Sequence, residues 1–307
     1  MSSPQSQVAR RSRPWRSRLP ENLTAWAMIL PAVGLLLWWF VSPIAQSFIL
    51  SFQKVNKFHF AERSFVGLTN YHQLLSDPAF RRSLLITTTF VALVVPAQTF
   101  LAVLVAALLQ SVKAGRTFFR TSIFVPYMTS TVAITTIFMQ LFVAGGPITS
   151  VLAKLGLPDV TWYAAPSTAL YFLVIVYVYM FVGLYVVIFV GGMESIPASL
   201  YEAATMDGAG AVRSFWHITL PGLRPFMVFV LLSGFIQAVQ VFDQAYVITG
   251  GTTLGSPAGA TSTIVIFIYQ QAFRLNALGY GSAATVILLA AIVIAGVLSR
   301  LISRKAS

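Results

Sequence analysis

Six runs of apolar residues, each long enough to cross a bilayer, constrain this chain more than anything else in it. They cover residues 23–52, 83–112, 121–144, 167–192, 225–248 and 279–302. A helix needs ~20 residues to cross the hydrocarbon core. Within lipid the backbone must satisfy its own hydrogen bonds, so runs of this kind are helices. The expected fold class is an all-α integral membrane protein with six transmembrane helices. The membrane domain would cover 23–302, with a basic tail at 1–22 and a short tail at 303–307. Only 9% of the 307 residues are charged, against ~25% in a soluble domain, which excludes a soluble fold. A further apolar stretch, 262–273, is too short to span; it reads as an outward extension of the last helix or an interfacial segment. The basic start followed by an apolar run has the layout of a secretory signal. That run is too long for a signal core of ~7–15 residues and reads as an uncleaved first span.

The net charge of +12 does not point to nucleic acid, because the basic residues sit in tails and short loops between apolar runs. With the N-terminus inside, thirteen Lys and Arg lie on the inner side and seven on the outer side. Both termini and the loop after the fourth run are therefore expected in the cytoplasm. There are no cysteines, so disulfides and thiolate chemistry are excluded. His59, His72 and His217 are isolated and give no metal spacing, so no metal site is expected. Pro31, Pro43, Pro96 and Pro126 fall inside spans and read as kinks or as bends around a pathway. Trp38, Trp39, Trp162 and Tyr163 suit interfacial belts.

One polar island interrupts the apolar pattern, EAATMDGAGAVRSFWHITLP, from Glu202 to Pro221. Ser195 can cap a helix with Pro197 in its first turn. Ala198 to Met206 form helix readily, and Asp207-Gly208 is a turn signal. Ala211 to Ile218 can make a second short helix, stopped by Leu220-Pro221. Small Ala203 and Ala204 beside Glu202 allow close approach by a partner, as when a helix docks in a groove. An amphipathic elbow lying on the lipid surface fits the same spacing.

Within the fifth run, Asp243 is the only acidic residue inside an expected span. An intramembrane carboxylate is costly unless it faces protein or water. Gln237, Gln240 and Gln244 fall on one helical face by i+3 and i+4 spacing, and Asp243 and Gln240 are likewise three apart. Such a stripe suits a cavity that hydrogen-bonds hydroxyl-rich solutes, or contact with a second membrane subunit. Gln98, Tyr127 and Gln140 are further in-span polar positions.

The skeleton of the island, Glu202-Ala203-Ala204, Asp207-Gly208, Ile218, Leu220-Pro221, resembles the EAA motif of permease subunits of binding-protein-dependent ABC importers. Phe65-Val66-Gly67-Leu68-Thr69-Asn70-Tyr71, Phe124-Val125-Pro126-Tyr127, Val241-Phe242-Asp243, Thr249-Gly250-Gly251 and Ile268-Tyr269-Gln270-Gln271-Ala272-Phe273 are similar to segments of the sugar-type branch. The resemblance covers about 25–300. The branch often has three glycines and a proline after its threonine; here the stretch reads TGGTTLGSPAGATST.

The resemblance implies a type I importer permease fold in a bacterial inner membrane. It implies a second permease subunit, an ATPase subunit dimer docking on a coupling loop at 193–225, and an extracytoplasmic solute-binding protein. The cargo would be a sugar or a glycerol 3-phosphate or glycerophosphodiester-type solute. No cofactor is expected on this chain, since it has no G-x-x-x-x-G-K-[ST] loop; ATP and Mg would be used by the ATPase. A stand-alone secondary transporter or channel is the alternative, and it predicts paired intramembrane charges or repeated broken helices.

Overall fold

The computed structural model describes residues 18–56, 58, 63–112, 114–250 and 254–306. His59 and Gly251, and the inner-side basic residues Arg10, Arg11, Arg13, Arg16 and Lys113, lie outside them, as does Lys57 of the outer set. The chain divides into two units, Met1–Ile49 and Leu50–Ser307.

The described part of the first unit is nearly all helix. α1 (Arg18–Leu36) runs through Pro31 into a π-helical turn, Leu37–Val41, and on into α2 (Ser42–Ser51). Pro43 has no N–H to give to the carbonyl four residues back, and its ring crowds that carbonyl. The widened π turn just ahead of it accommodates both defects without ending the helix.

The second unit opens on a short antiparallel ribbon, β1 (Gln53–Lys54) and β2 (Ser64–Phe65), the one sheet among the described residues. Asn70 Nδ2 donates to the carbonyls of Ser51 and Gln53, and Tyr71 Oη donates to Ser51 Oγ at 2.7 Å. These bonds explain the polar 69–71 stretch, which forms the start of α3 (Thr69–Ser76). α4 (Pro78–Ser111) follows at once, capped by Asp77, whose side chain accepts from the Ala79 N–H. At 34 residues α4 is ~51 Å long at 1.5 Å per residue, well beyond the expected 83–112 run. Pro96 leaves it continuous.

The third expected span is not one helix. α5 (Arg116–Met128) and α6 (Thr131–Leu141) meet at 98°. Pro126 cannot donate an amide, the last turn closes by Thr129 N–H to the Pro126 carbonyl, and Thr129 is extended. α7 (Pro147–Lys154) leads to α8 (Ala169–Glu194), which is apolar all round and accordingly the most buried span. Trp162, expected in an interfacial belt, packs instead in the core against Phe142 and is 9% exposed.

After α8 come α9 (Ala198–Met206), α10 (Ala211–Ser214), a π turn at Phe215–Thr219 and α11 (Leu220–Gly222). α12 (Arg224–Val239) then stops, and α13 (Asp243–Ile248) resumes after an irregular break at 240–242. α14 (Ile264–Tyr269) with a π turn at Gln270–Arg274 packs against α4 and α15 (Leu278–Ala306). The 262–273 stretch is thus a separate buried helix, not an extension of the last span.

Among the described residues, five helices have the length and composition to cross a membrane, and the bent α5–α6 pair reaches them only when its two helices are taken together. α4 and α8 form the spine. One core cluster joins them to α6 and α13 around Phe90, Phe172 and Ala245; a second lies toward the α9–α11 end around Ala106, Phe189 and Leu223.

Candidate functional site

The polar island is a hydrogen-bonded elbow between α8 and α12. α9 ends in a Schellman closure: Ala209 N–H donates to the Ala204 carbonyl at 2.8 Å, and Gly208 N–H to the Thr205 carbonyl at 3.0 Å. Gly208 sits at φ +77°, the left-handed conformation that the sequence placed there. The start of α9 differs from the expectation. Pro197 is the N-cap, whereas Ser195 belongs to the end of α8, with its Oγ donating to the Gly192 carbonyl. A fixed proline φ already turns the chain into α9, so no side-chain cap is needed.

Two links hold the elbow. The hydroxyls of Tyr201 and Thr219 are 2.9 Å apart, tying its outgoing and returning arms. Fully buried Leu223 roots it where Gly192 and Gly222 give room to Leu223, Phe226 and Ile196. At the top of α8, Glu194 Oε1 lies 3.1 Å from Arg116 Nη2 and 3.9 Å from Arg120 Nη1, joining the root to α5. Sequence reading missed this pair, because nothing local signals a partner 78 residues away.

Glu202, Ala203, Asp207, Gly208 and Pro221 are exposed, and Ala204, Ile218 and Leu220 are half-buried. Leu200, Met206, Val212 and Trp216 are exposed as well, Met206 at 89%. Apolar side chains gathered on a polar, internally braced loop mark a surface made to be covered. Trp216, with Phe215 and Ile218, was expected from the sequence to offer apolar contacts; Leu200, Met206 and Val212 were not singled out, although each is an apolar residue in or beside the polar island. An open cavity of about 850 Å³ lies between the elbow and the end of α4, lined by Leu104, Leu108, Tyr201, Thr205 and Phe215 among others.

The expected polar stripe of the fifth span is split. Gln237 is half-buried on α12; Gln240 and Asp243 are exposed on either side of the break. Gln244 turns inward, 4% exposed, with Nε2 3.6 Å from Met180 Sδ, so it is a packing residue and not part of an open face. The 3.6-residue period does not carry across 240–242. The break is tolerated because Thr263 Oγ1 donates to the Val241 carbonyl at 3.1 Å, replacing a helical bond with a remote one.

Phe242, next to Asp243 in the chain, belongs to a ring group with Tyr246, Tyr269 and Phe273, with neighbouring ring centroids 5.2 to 5.6 Å apart. A carboxylate and an amide next to half-open rings can hydrogen-bond a polyhydroxylated molecule while stacking on its apolar face. Tyr127, at the α5–α6 bend, belongs to another ring group with Phe124 and Phe181. Gln140 is exposed, and Gln98 is fully buried. No three His, Cys, Asp or Glu side chains converge among the described residues.

Comparison with known proteins agrees with this architecture. Residues 98–307 match the family described as binding-protein-dependent transport system inner membrane component. The arabinooligosaccharides transport system permease protein AraP of Bacillus subtilis is 33% identical, over 88% of this chain and 85% of that protein. The sulfoquinovosyl glycerol transport system permease protein SmoG of Agrobacterium fabrum is 31% identical, over 89% and 87%. Among solved structures, a chain of a bacterial alginate ABC transporter in complex with alginate-pentasaccharide-bound periplasmic protein superposes with a TM-score of 0.80 at 20% identity, covering 96% of this chain and 98% of that one. The fold is the type I importer permease fold, and the protein is a multi-pass inner-membrane transport subunit rather than an enzyme. The chain belongs to the binding-protein-dependent transport system inner membrane component family, the permeases of ABC importers.

Proposed function

We propose that this chain forms, with a second permease subunit, the pathway of an importer for a sugar or sugar-like solute, and that its elbow couples the pathway to a separate ATPase dimer. The observation that carries this reading is the elbow: a doubly rooted loop with Leu200, Met206 and Val212 exposed on it and Gly208 at its turn. In this reading Glu202, Ala203, Ala204, Asp207, Gly208, Ile218, Leu220 and Pro221 form the docking element within the coupling loop 193–225. Residues 1–22 and 303–307 are cytoplasmic tails of the 23–302 membrane domain, as the Lys and Arg distribution favours. The ATPase binds the ATP and Mg; this chain binds neither. An extracytoplasmic solute-binding protein delivers the cargo.

Gln237, Gln240 and Asp243, with the rings around Tyr246, favour a hydroxyl-rich solute, and Tyr127 lines the pathway at the bend. The names of the AraP and SmoG relatives point to the same carbohydrate class. A glycerol 3-phosphate or glycerophosphodiester cargo would call for cations facing the pathway. On this chain the break in the fifth span offers an acid instead.

The test is reconstitution of the full complex with its solute-binding protein, followed by a screen for solute-stimulated ATP hydrolysis. Oligosaccharides, monosaccharides, glycosyl glycerols, glycerol 3-phosphate and glycerophosphocholine form the panel. Stimulation by a saccharide or glycosyl glycerol is the expected result; stimulation by the phosphate compounds alone would overturn the solute class.

A further inference from the structure

Gln98 is the most anomalous polar group in the described structure. It lies on α4, fully buried, and neither its amide nitrogen nor its amide oxygen has a hydrogen-bond partner. An orphaned buried amide is costly, and each one in a native structure calls for a physical explanation. The residue facing it is Gly234 on α12: a Cβ built there would lie 2.4 Å from Gln98 Nε2 and 3.5 Å from the Tyr185 hydroxyl. Tyr185, the other polar group near this point, does not relieve the amide, since neither Gln98 amide atom has a partner. The seam between α4 and α12 therefore holds a polar group against a bare patch of backbone.

A second amide, that of Gln237, lies one turn farther from the elbow on α12 and is half-buried. Three residues of helix correspond to ~4.5 Å of rise and a rotation of ~60°. α12 starts three residues after Pro221, so a displacement of the elbow passes directly to it. We propose that Gln98 senses the register of this seam. In the present state it faces Gly234; in the alternate state α12 has screwed toward the elbow, and the Gln98 and Gln237 amides pair. Discrete shifts of one packed helix past another are an established form of switching. The orphaned amide destabilises one register and the new pair stabilises the other, which makes the seam bistable. Gln98 is thus a positioning residue for transport. The inference rests on the coupling role of the elbow and adds the direction and the landing point of the motion.

The chain has no cysteine, so an introduced pair meets no competing thiol within this subunit. In the full complex, Gln98→Cys is combined with Gly234→Cys or with Gln237→Cys, and cross-linking is measured in the resting state and after trapping with ATP and vanadate. The smaller side chain at 98 leaves room for the one added at 234. The ratio of 98–237 to 98–234 cross-links is expected to change by at least about fivefold between the two states, the lower end of usual allosteric couplings. A second measurement uses Gln98→Leu, expected to lower the turnover of solute-stimulated hydrolysis with the apparent KM for the loaded binding protein unchanged, and Gln98→Asn, expected to restore part of it. Normal solute stimulation with a nucleotide-independent cross-link ratio, or wild-type turnover in Gln98→Leu, overturns the register inference and leaves the coupling reading standing. Loss of any solute response in the unmodified complex overturns both.

Discussion

Replacing Gly183 by alanine should unseat α5 from α8. A Cβ built on Gly183 lies 2.1 Å from the carbonyl oxygen of Ile123 and 2.9 Å from its carbonyl carbon. Ordinary contact begins at 3.4 Å, so the new methyl is about 1.3 Å too close. The obstructing atoms are backbone, so no rotamer change relieves them and α5 must move as a body. Overpacking of this kind costs ~1–3 kcal/mol, and the rigidity of the neighbour places this site at the upper end. Alanine returns up to about 1 kcal/mol through helix propensity. The net loss is therefore roughly 2 kcal/mol. Gly191 lies on the same helix with nothing within 4 Å of a built Cβ, so Gly191→Ala should give the propensity gain alone. In a chain of 307 residues, 1 kcal/mol corresponds to roughly 1.5 °C at the per-residue unfolding entropy of ~2.1 cal/mol/K. Scanning fluorimetry on the purified protein in detergent should show Gly183→Ala melting about 3 °C below wild type, with Gly191→Ala equal to or slightly above it. The reasoning is refuted if the two variants melt within a degree of each other. It would also fail if Gly183→Ala lowered the midpoint no further than Gly191→Ala in the assembled complex.

Gly208→Trp places a large side chain at φ +77°, a conformation costing an L-residue ~1–2 kcal/mol, on the exposed turn of the elbow. The ATPase subunit should no longer copurify, whereas Gly208→Asn should retain it; wild-type solute stimulation in the Trp variant would remove the docking role. Asp243→Ala should impair uptake while leaving basal ATP hydrolysis intact, and unchanged uptake across the solute panel would assign Asp243 to packing. Thr263→Val strips the donor from the Val241 carbonyl at the break, and an orphaned buried acceptor costs ~1–3 kcal/mol. Its melting point should fall, with Thr263→Ser recovering most of the loss.

Much of the fold was legible because hydropathy is a property of consecutive residues. Five of the six runs became spans in place, and Asp207-Gly208 became the turn of the elbow because only glycine takes that φ without strain. The EAA skeleton was equally plain, being a fixed spacing of small and charged residues in one stretch of chain. What stayed hidden depends on partners distant in sequence. Pro126 marked a kink, but nothing in the 121–144 run states that it bends by 98°. The split of the polar stripe followed from Thr263, which satisfies the Val241 carbonyl from another helix and so permits a break that period counting cannot register.

The sequence alone determined that this chain lives in a bilayer, where its apolar runs lie, and where a polar loop interrupts them. Each of these follows from transfer free energy and local backbone preference, which neighbouring residues set. Only the tertiary structure decided which polar groups are satisfied. It buried Gln244, exposed Asp243 and Gln240 at a break, tied Glu194 to Arg116, and left the Gln98 amide alone against Gly234. A hydrogen bond requires two groups within about 3 Å. For groups 78 or more residues apart, packing alone decides that.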